Sequence, residues 1–120
     1  MQSGDSWLKL KKAEKLLEEA EKDLEVGCFN KAVSASYFAV RLAAEAMLRG
    51  VITTKDDKIA NAVGRVLGSD VREEIMWIYE ERKKADHRPF FFDEKRASLV
   101  FGKASEVFEK IKKEISSLEE

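Results

Sequence analysis

Proline, histidine and cysteine occur once each, as Pro89, His87 and Cys28. A lone cysteine cannot close an internal disulfide, and one histidine with one cysteine cannot furnish a zinc site of the usual composition. Glutamine occurs once and asparagine twice against abundant lysine and glutamate, a bias of heat-adapted, thermophile proteins. The longest uncharged, largely apolar run, 32–40, falls far short of the roughly 20 residues that cross a bilayer. No N-terminal stretch joins a basic region to an apolar run and a small-residue cleavage site. These absences point to a reducing, cytoplasmic setting and to no membrane. An excess of one charge is lacking too. The net charge of −1 provides no global field toward nucleic acid, so any RNA contact has to be local. Neither G-x-x-x-x-G-K-[ST] nor G-x-G-x-x-G occurs, so the usual phosphate cradles are missing and no cofactor is expected.

What is present is a chain of 120 residues, 44% hydrophobic and 38% charged, with only six glycines. That describes a single loop-poor domain, 1–120, around one core. Leu10, Ala13, Leu17, Ala20 and Leu24 recur at helical spacing, which predicts a helix from Trp7 to Val26, stopped by Gly27. Phe29, Val33, Ser36, Tyr37, Val40, Ala43, Ala44 and Met47 form the stripe of a second helix that ends at Gly50. Its many small side chains mark it as the most buried. Thr54 to Asp57 resembles a capping box opening a short helix through Ile59, Val63, Val66 and Leu67. Gly68 and Ser69 read as a stop and a new N-cap. A fourth helix is expected from about Asp70 to His87, and a fifth from the cap Asp93 to Leu118, with Phe92 stapled onto Ala97. No stretch alternates like a strand. The fold class is all-α, an up-and-down bundle of about five helices, four long and one short.

The chemistry concentrates in "ERKKADHRPFFF", residues 81–92. Projected at about 100° per residue, Val71, Ile75, Ile78 and Ala85 share a stripe with Arg82 in its middle. An arginine stands where a leucine would be expected. Either its stem packs while its head reaches solvent or Asp86, or it belongs to a site. His87 follows five residues later. Pro89 disfavours helical geometry at Arg88, which leaves His87 in a terminal turn whose direction can change. Arg82, Lys83, Lys84, Arg88, Lys95 and Arg96, against Asp86, Asp93 and Glu94, form a local basic patch. Phe90, Phe91 and Phe92 either cap the core or stack on bases. Glu18, Glu19, Glu21, Glu73, Glu74, Glu80 and Glu81 read as solvated faces with helix ion pairs. Nothing places Ser34, Ser36 or Ser98 near His87 as a nucleophile.

Three stretches together resemble the HEPN family of small helical domains. They are "AVSASYFAVRLAAEAML", "RKKADH", which fits the family signature R-x(4-6)-H, and "FFFDEKRASLVFGKASEVFEKI"; the likeness covers nearly the whole chain. It implies a bundle that forms a homodimer with the motif helices at the two-fold, joining two Arg-His pairs in one cleft. It also implies RNA or nucleotide binding and, in active members, metal-independent ribonuclease activity. On this likeness Arg82 and His87 are the catalytic residues, Arg82 on the phosphate and His87 in proton transfer, with Lys83, Lys84, Asp86 and Arg88 binding substrate. A small nucleotidyltransferase as antitoxin is the implied partner of the toxin subgroup. Lys83 stands where active members often carry Asn, Asp or His. Pro89 stands where an AMP-accepting tyrosine is found in that subgroup, which excludes AMP transfer there. The alternative reading is a non-catalytic nucleotide-binding or partner-docking module.

Overall fold

The computed structural model describes residues 4–49 and 55–118, in five helices: α1 Gly4–Glu25, α2 Phe29–Met47, α3 Asp56–Leu67, α4 Ser69–His87 and α5 Glu94–Leu118. Among the described residues there is no strand, and no helix is long and apolar enough to cross a membrane. The up-and-down helical bundle expected from the pattern is the fold observed. The expected ends at Gly50 and Thr54 lie outside the described residues.

Local signals set most boundaries. Past α1, Gly27 takes φ +83°, Cys28 N donates to Asp23 O and Gly27 N to Leu24 O. This is a Schellman closure, which needs a left-handed residue that glycine supplies without strain. Gly68, at φ +108°, is the only residue between α3 and α4 and is itself the N-cap, so Ser69 is already helical. The tight junction presses the two helices together. A Cβ added at Gly64 would lie 2.8 Å from Arg72 Cβ. Asp93 caps α5 as expected, its Oδ1 accepting from Arg96 N at 2.8 Å. Phe92 and Ala97, on either side of that cap, lie in the same core cluster.

α2 is the hub and packs on the four other helices. Its Ala32, Ala39, Ala43, Ala44 and Ala46 are fully buried, and side chains this small let neighbouring backbones approach closely. Ser36, also fully buried, donates to Ala32 O at 2.7 Å, so its hydroxyl is satisfied within the helix. The apolar stripes of α4 and α5 bury Val71, Ile75, Ile78, Val100, Val107, Phe108, Ile111 and Ile115 in the one core cluster to which α2 also contributes.

Two expectations about burial need correction. Val66, one of the apolar residues through which α3 is expected to run, is half exposed, because α3 packs mainly on α4 and leaves that edge uncovered. Glu81, read as solvated, is only 1% exposed. Arg96 Nη2 at 2.6 Å and Arg96 Nε at 2.7 Å meet its Oε1, and Lys84 Nζ lies 3.0 Å from Oε2. α5 crosses α4 at this level and supplies the cation that makes burial of the carboxylate tolerable.

Candidate functional site

The C-terminal turns of α4 face the first half of α2, and the two helices hold the motif between them. Arg82 is about one-fifth exposed. Its guanidinium carbon lies 4.9 Å from the centroid of Phe38 and 5.7 Å from that of Tyr37, so two α2 rings form a cation–π floor. Asp86 Oδ2 is 2.9 Å from Arg82 Nε. The N–H does not point along that line, so the contact is an ion pair without an aligned hydrogen bond, and buried Nε has no hydrogen-bond acceptor. The same Asp86 oxygen accepts from Ser34 Oγ at 3.2 Å. Ser34 thus lies beside the motif through Asp86, which its position in the sequence did not suggest.

Arg82 also feels a second anion. Burial pushes the Asp56 carboxyl above its ordinary range, and the positive charge of Arg82 pulls it back. Arg41 Nη1 meets the same carboxylate at 2.7 Å from Oδ1. Arg41 Nε in turn meets Glu45 Oε2 at 3.2 Å, and Glu45 Oε1 meets Lys9 Nζ at 3.1 Å. The hydrogen bond to Glu45 raises the Lys9 ammonium above its ordinary range, against the lowering effect of burial. A line of alternating charges therefore runs from α1 across α2 to the start of α3, at the back of the Arg82 site.

His87 is the last residue of α4 and is exposed. Pro89 acts one residue later than a free turn at His87 would require. Arg88 takes the extended geometry, φ −118° and ψ 153°, that a following proline favours. His87 stays in helical register, so its Cα is rotated about 140° from that of Arg82 around the helix. Phe90 N donates to Arg88 O at 2.7 Å, closing a tight turn at Pro89.

Asn30, in the first turn of α2, fixes the α4–α5 loop beyond this turn. Its Nδ2 donates to Ala85 O at 3.2 Å and to Phe90 O at 2.9 Å, and its Oδ1 accepts from Phe92 N at 2.9 Å. One side chain thus satisfies three backbone groups of the α4 end and the loop. It is one of only two asparagines in the chain, a scarcity that could have drawn attention to it.

The expected basic patch divides. Lys84 and Arg96 turn to Glu81, and Lys83 lies 3.1 Å from Glu80 and 4.8 Å from the Tyr79 ring centroid. Among the described residues, Lys31, His87 and Arg88 are exposed and make no ion pair. A cleft of about 320 Å³ beside the motif is lined by Asn30, Lys31, Ser34, Phe38, Ala85 and Asp86 among others. A larger groove of about 610 Å³ opens by Trp77, Arg96 and Leu99, but no member of the Arg82–His87 motif lines it. Among the described residues no three His, Cys, Asp or Glu side chains gather in a set able to hold a metal ion.

Residues 6–115 match the family model described as the HEPN domain. A "UPF0332 protein" of Archaeoglobus fulgidus is 44% identical over 43 residues, 36% of this chain and 34% of that relative, so the likeness spans about a third of its length. The chain belongs to the HEPN family.

Proposed function

We propose that this HEPN protein is a metal-independent endoribonuclease that works as a homodimer, the toxin of a pair whose antitoxin is a small nucleotidyltransferase. The observation that carries the reading is Arg82. Its guanidinium is held over two aromatic rings with buried Nε lacking an aligned acceptor, at the same helix end as the exposed His87. A guanidinium still one-fifth exposed, next to the Asp86 that lines the motif cleft, is a group able to meet a phosphate oxyanion. About 140° separates Arg82 from His87 on one helix, so a cleft that uses both on one phosphate draws them from two copies.

In the reaction, one His87 takes the proton of the RNA 2′-hydroxyl as its oxygen attacks the adjacent phosphorus. The bond from phosphorus to the 5′-oxygen breaks, and the partner's His87 gives that oxygen a proton. The products are a 2′,3′-cyclic phosphate and a 5′-hydroxyl. Arg82 holds the non-bridging oxygens and balances their growing charge. Asp86 gives up Arg82 to the phosphate and stays tethered to Ser34. Lys83, Lys84 and Arg88 add positive potential along the strand.

The test is mixed RNA incubated with the purified protein in EDTA. Wild type is expected to leave cyclic-phosphate ends, and Arg82→Ala and His87→Ala to abolish them. An inactive wild type, or cleavage indifferent to both substitutions, overturns the reading, and a strictly monomeric solution mass dismantles the composite site. The Arg82–Asp86 ion pair favours a second reading, a nucleotide-binding or partner-docking module without turnover. Calorimetric nucleotide binding by a protein that cleaves nothing would select it.

A further inference from the structure

The three consecutive phenylalanines of the α4–α5 loop differ in environment. Phe90 and Phe92 pack edge to face with centroids 4.8 Å apart, and both join the core. Phe91, between them, is 91% exposed. Leaving such a ring in water forgoes the roughly 1.5–3 kcal/mol that its burial would supply. Its exposure is built into the loop. Asn30 bonds the peptide groups on both sides of Phe91, at Phe90 O and Phe92 N, while the turn at Pro89 and the Asp93 cap fix the two ends. The ring is presented on a braced arch.

Phe91 forms one wall of a cleft of about 350 Å³ lined also by Gly27, Cys28, Phe29 and Phe92. Asn30 and Lys31 line both this cleft and the one beside Asp86. The two clefts are therefore neighbours, one holding Asp86 and Phe38 and the other Phe91, with Lys31 and Asn30 on the border between them. Among the described residues Lys31 is exposed and makes no ion pair. A cation tracking a backbone between aromatic faces is the arrangement that holds single-stranded nucleic acid.

We propose that Phe91 is a stacking platform for a nucleobase of single-stranded RNA, with Lys31 contacting a phosphate between that base and the one at Arg82. The inference rests on RNA being the substrate, as proposed above, and adds a base subsite outside the Arg-His motif. Stacking on phenylalanine reads a planar ring rather than a base edge, so the subsite fixes the distance from base to cleaved bond more than the identity of the base.

The experiment uses short 2′-O-methyl RNA, which lacks the attacking hydroxyl, carrying 2-aminopurine at successive positions. With wild type, fluorescence at one position is expected to be quenched. Phe91→Ala is expected to abolish that quench and weaken binding about 5- to 150-fold, the range for loss of one stacked base. Phe91→Trp is expected to retain both. Lys31→Ala is expected to weaken binding for every sequence and to flatten its salt dependence. Circular dichroism checks that each variant is folded. Phe91→Ala with wild-type affinity and quench overturns this inference and leaves the ribonuclease reading standing. A change in dimer dissociation without a change in affinity per dimer also overturns it, since the ring would then be a contact between copies. A wild type that binds no RNA overturns both.

Discussion

Glu81 and Arg82 are adjacent on α4, yet the two charges are treated in opposite ways. Glu81 faces α5, is shut away from water, and meets Arg96 and Lys84 within 3.0 Å. Arg82 faces α2, stays partly open, and has the misaligned carboxylate of Asp86, the more distant charge of Asp56 and two ring faces around it. A buried charge with its partners in place locks helix to helix and is closed to ligands. A guanidinium that keeps about one-fifth of its side chain open to water can still meet an anion. On the proposed reading, the first pair is structural and the second belongs to the site.

Substitutions that exchange the two behaviours test this contrast. The largest effect is expected at Arg82. Arg82→Ala should lower RNA cleavage by about 10²–10³-fold, the loss typical of one donor to a developing oxyanion, while a urea melt moves by under about 1 kcal/mol. Arg96→Ala should do the reverse. It leaves Glu81 buried with Lys84 alone, so unfolding should shift by about 2–4 kcal/mol, with specific activity of the folded fraction retained. Equal stability losses at both positions would erase the distinction. Asn30→Ala comes next, at about 1–3 kcal/mol. It strips partners from three backbone groups, and hydrogen exchange should rise at the Phe92 amide before it rises in α2.

The smallest effect concerns the charge line behind Arg82. Lys9 has its folded pKa raised by Glu45. In the pH interval above its ordinary value of 10.5, the folded chain keeps a proton that the unfolded chain releases. The stabilisation is therefore full below pH 10.5 and is lost as pH rises through the raised folded value. Lys9→Met should remove this alkaline slope from a titration of stability and leave the neutral range nearly unchanged.

Much of this is legible in the chain because it is local. Gly27, Gly68 and Asp93 end and begin helices through bonds spanning a few residues, and each boundary falls within one position of its expected place. The stripe on α2 is legible for the same reason. Arg82 stands out as a charge on an apolar stripe. Glu81 does not, since helical periodicity gives an angle about one axis and says nothing of how wide an arc the neighbours cover. α5 covers the Glu81 side, and that comes from packing.

The sequence by itself therefore determined five helices, the boundaries at Gly27, Gly68 and Asp93, the family and the Arg82–His87 spacing. Each of these depends on residues close in the chain or on a pattern repeated along it. Only the tertiary structure decided which of two adjacent charges is closed, and that Lys84 and Arg96 leave the basic patch for Glu81. It also decided that Asn30 reaches across 55–62 residues to brace the loop and that Phe91 alone of three rings faces water. These outcomes depend on which surfaces meet when helices distant in sequence pack, and a hydrogen bond or an ion pair is directional enough that the meeting decides its fate.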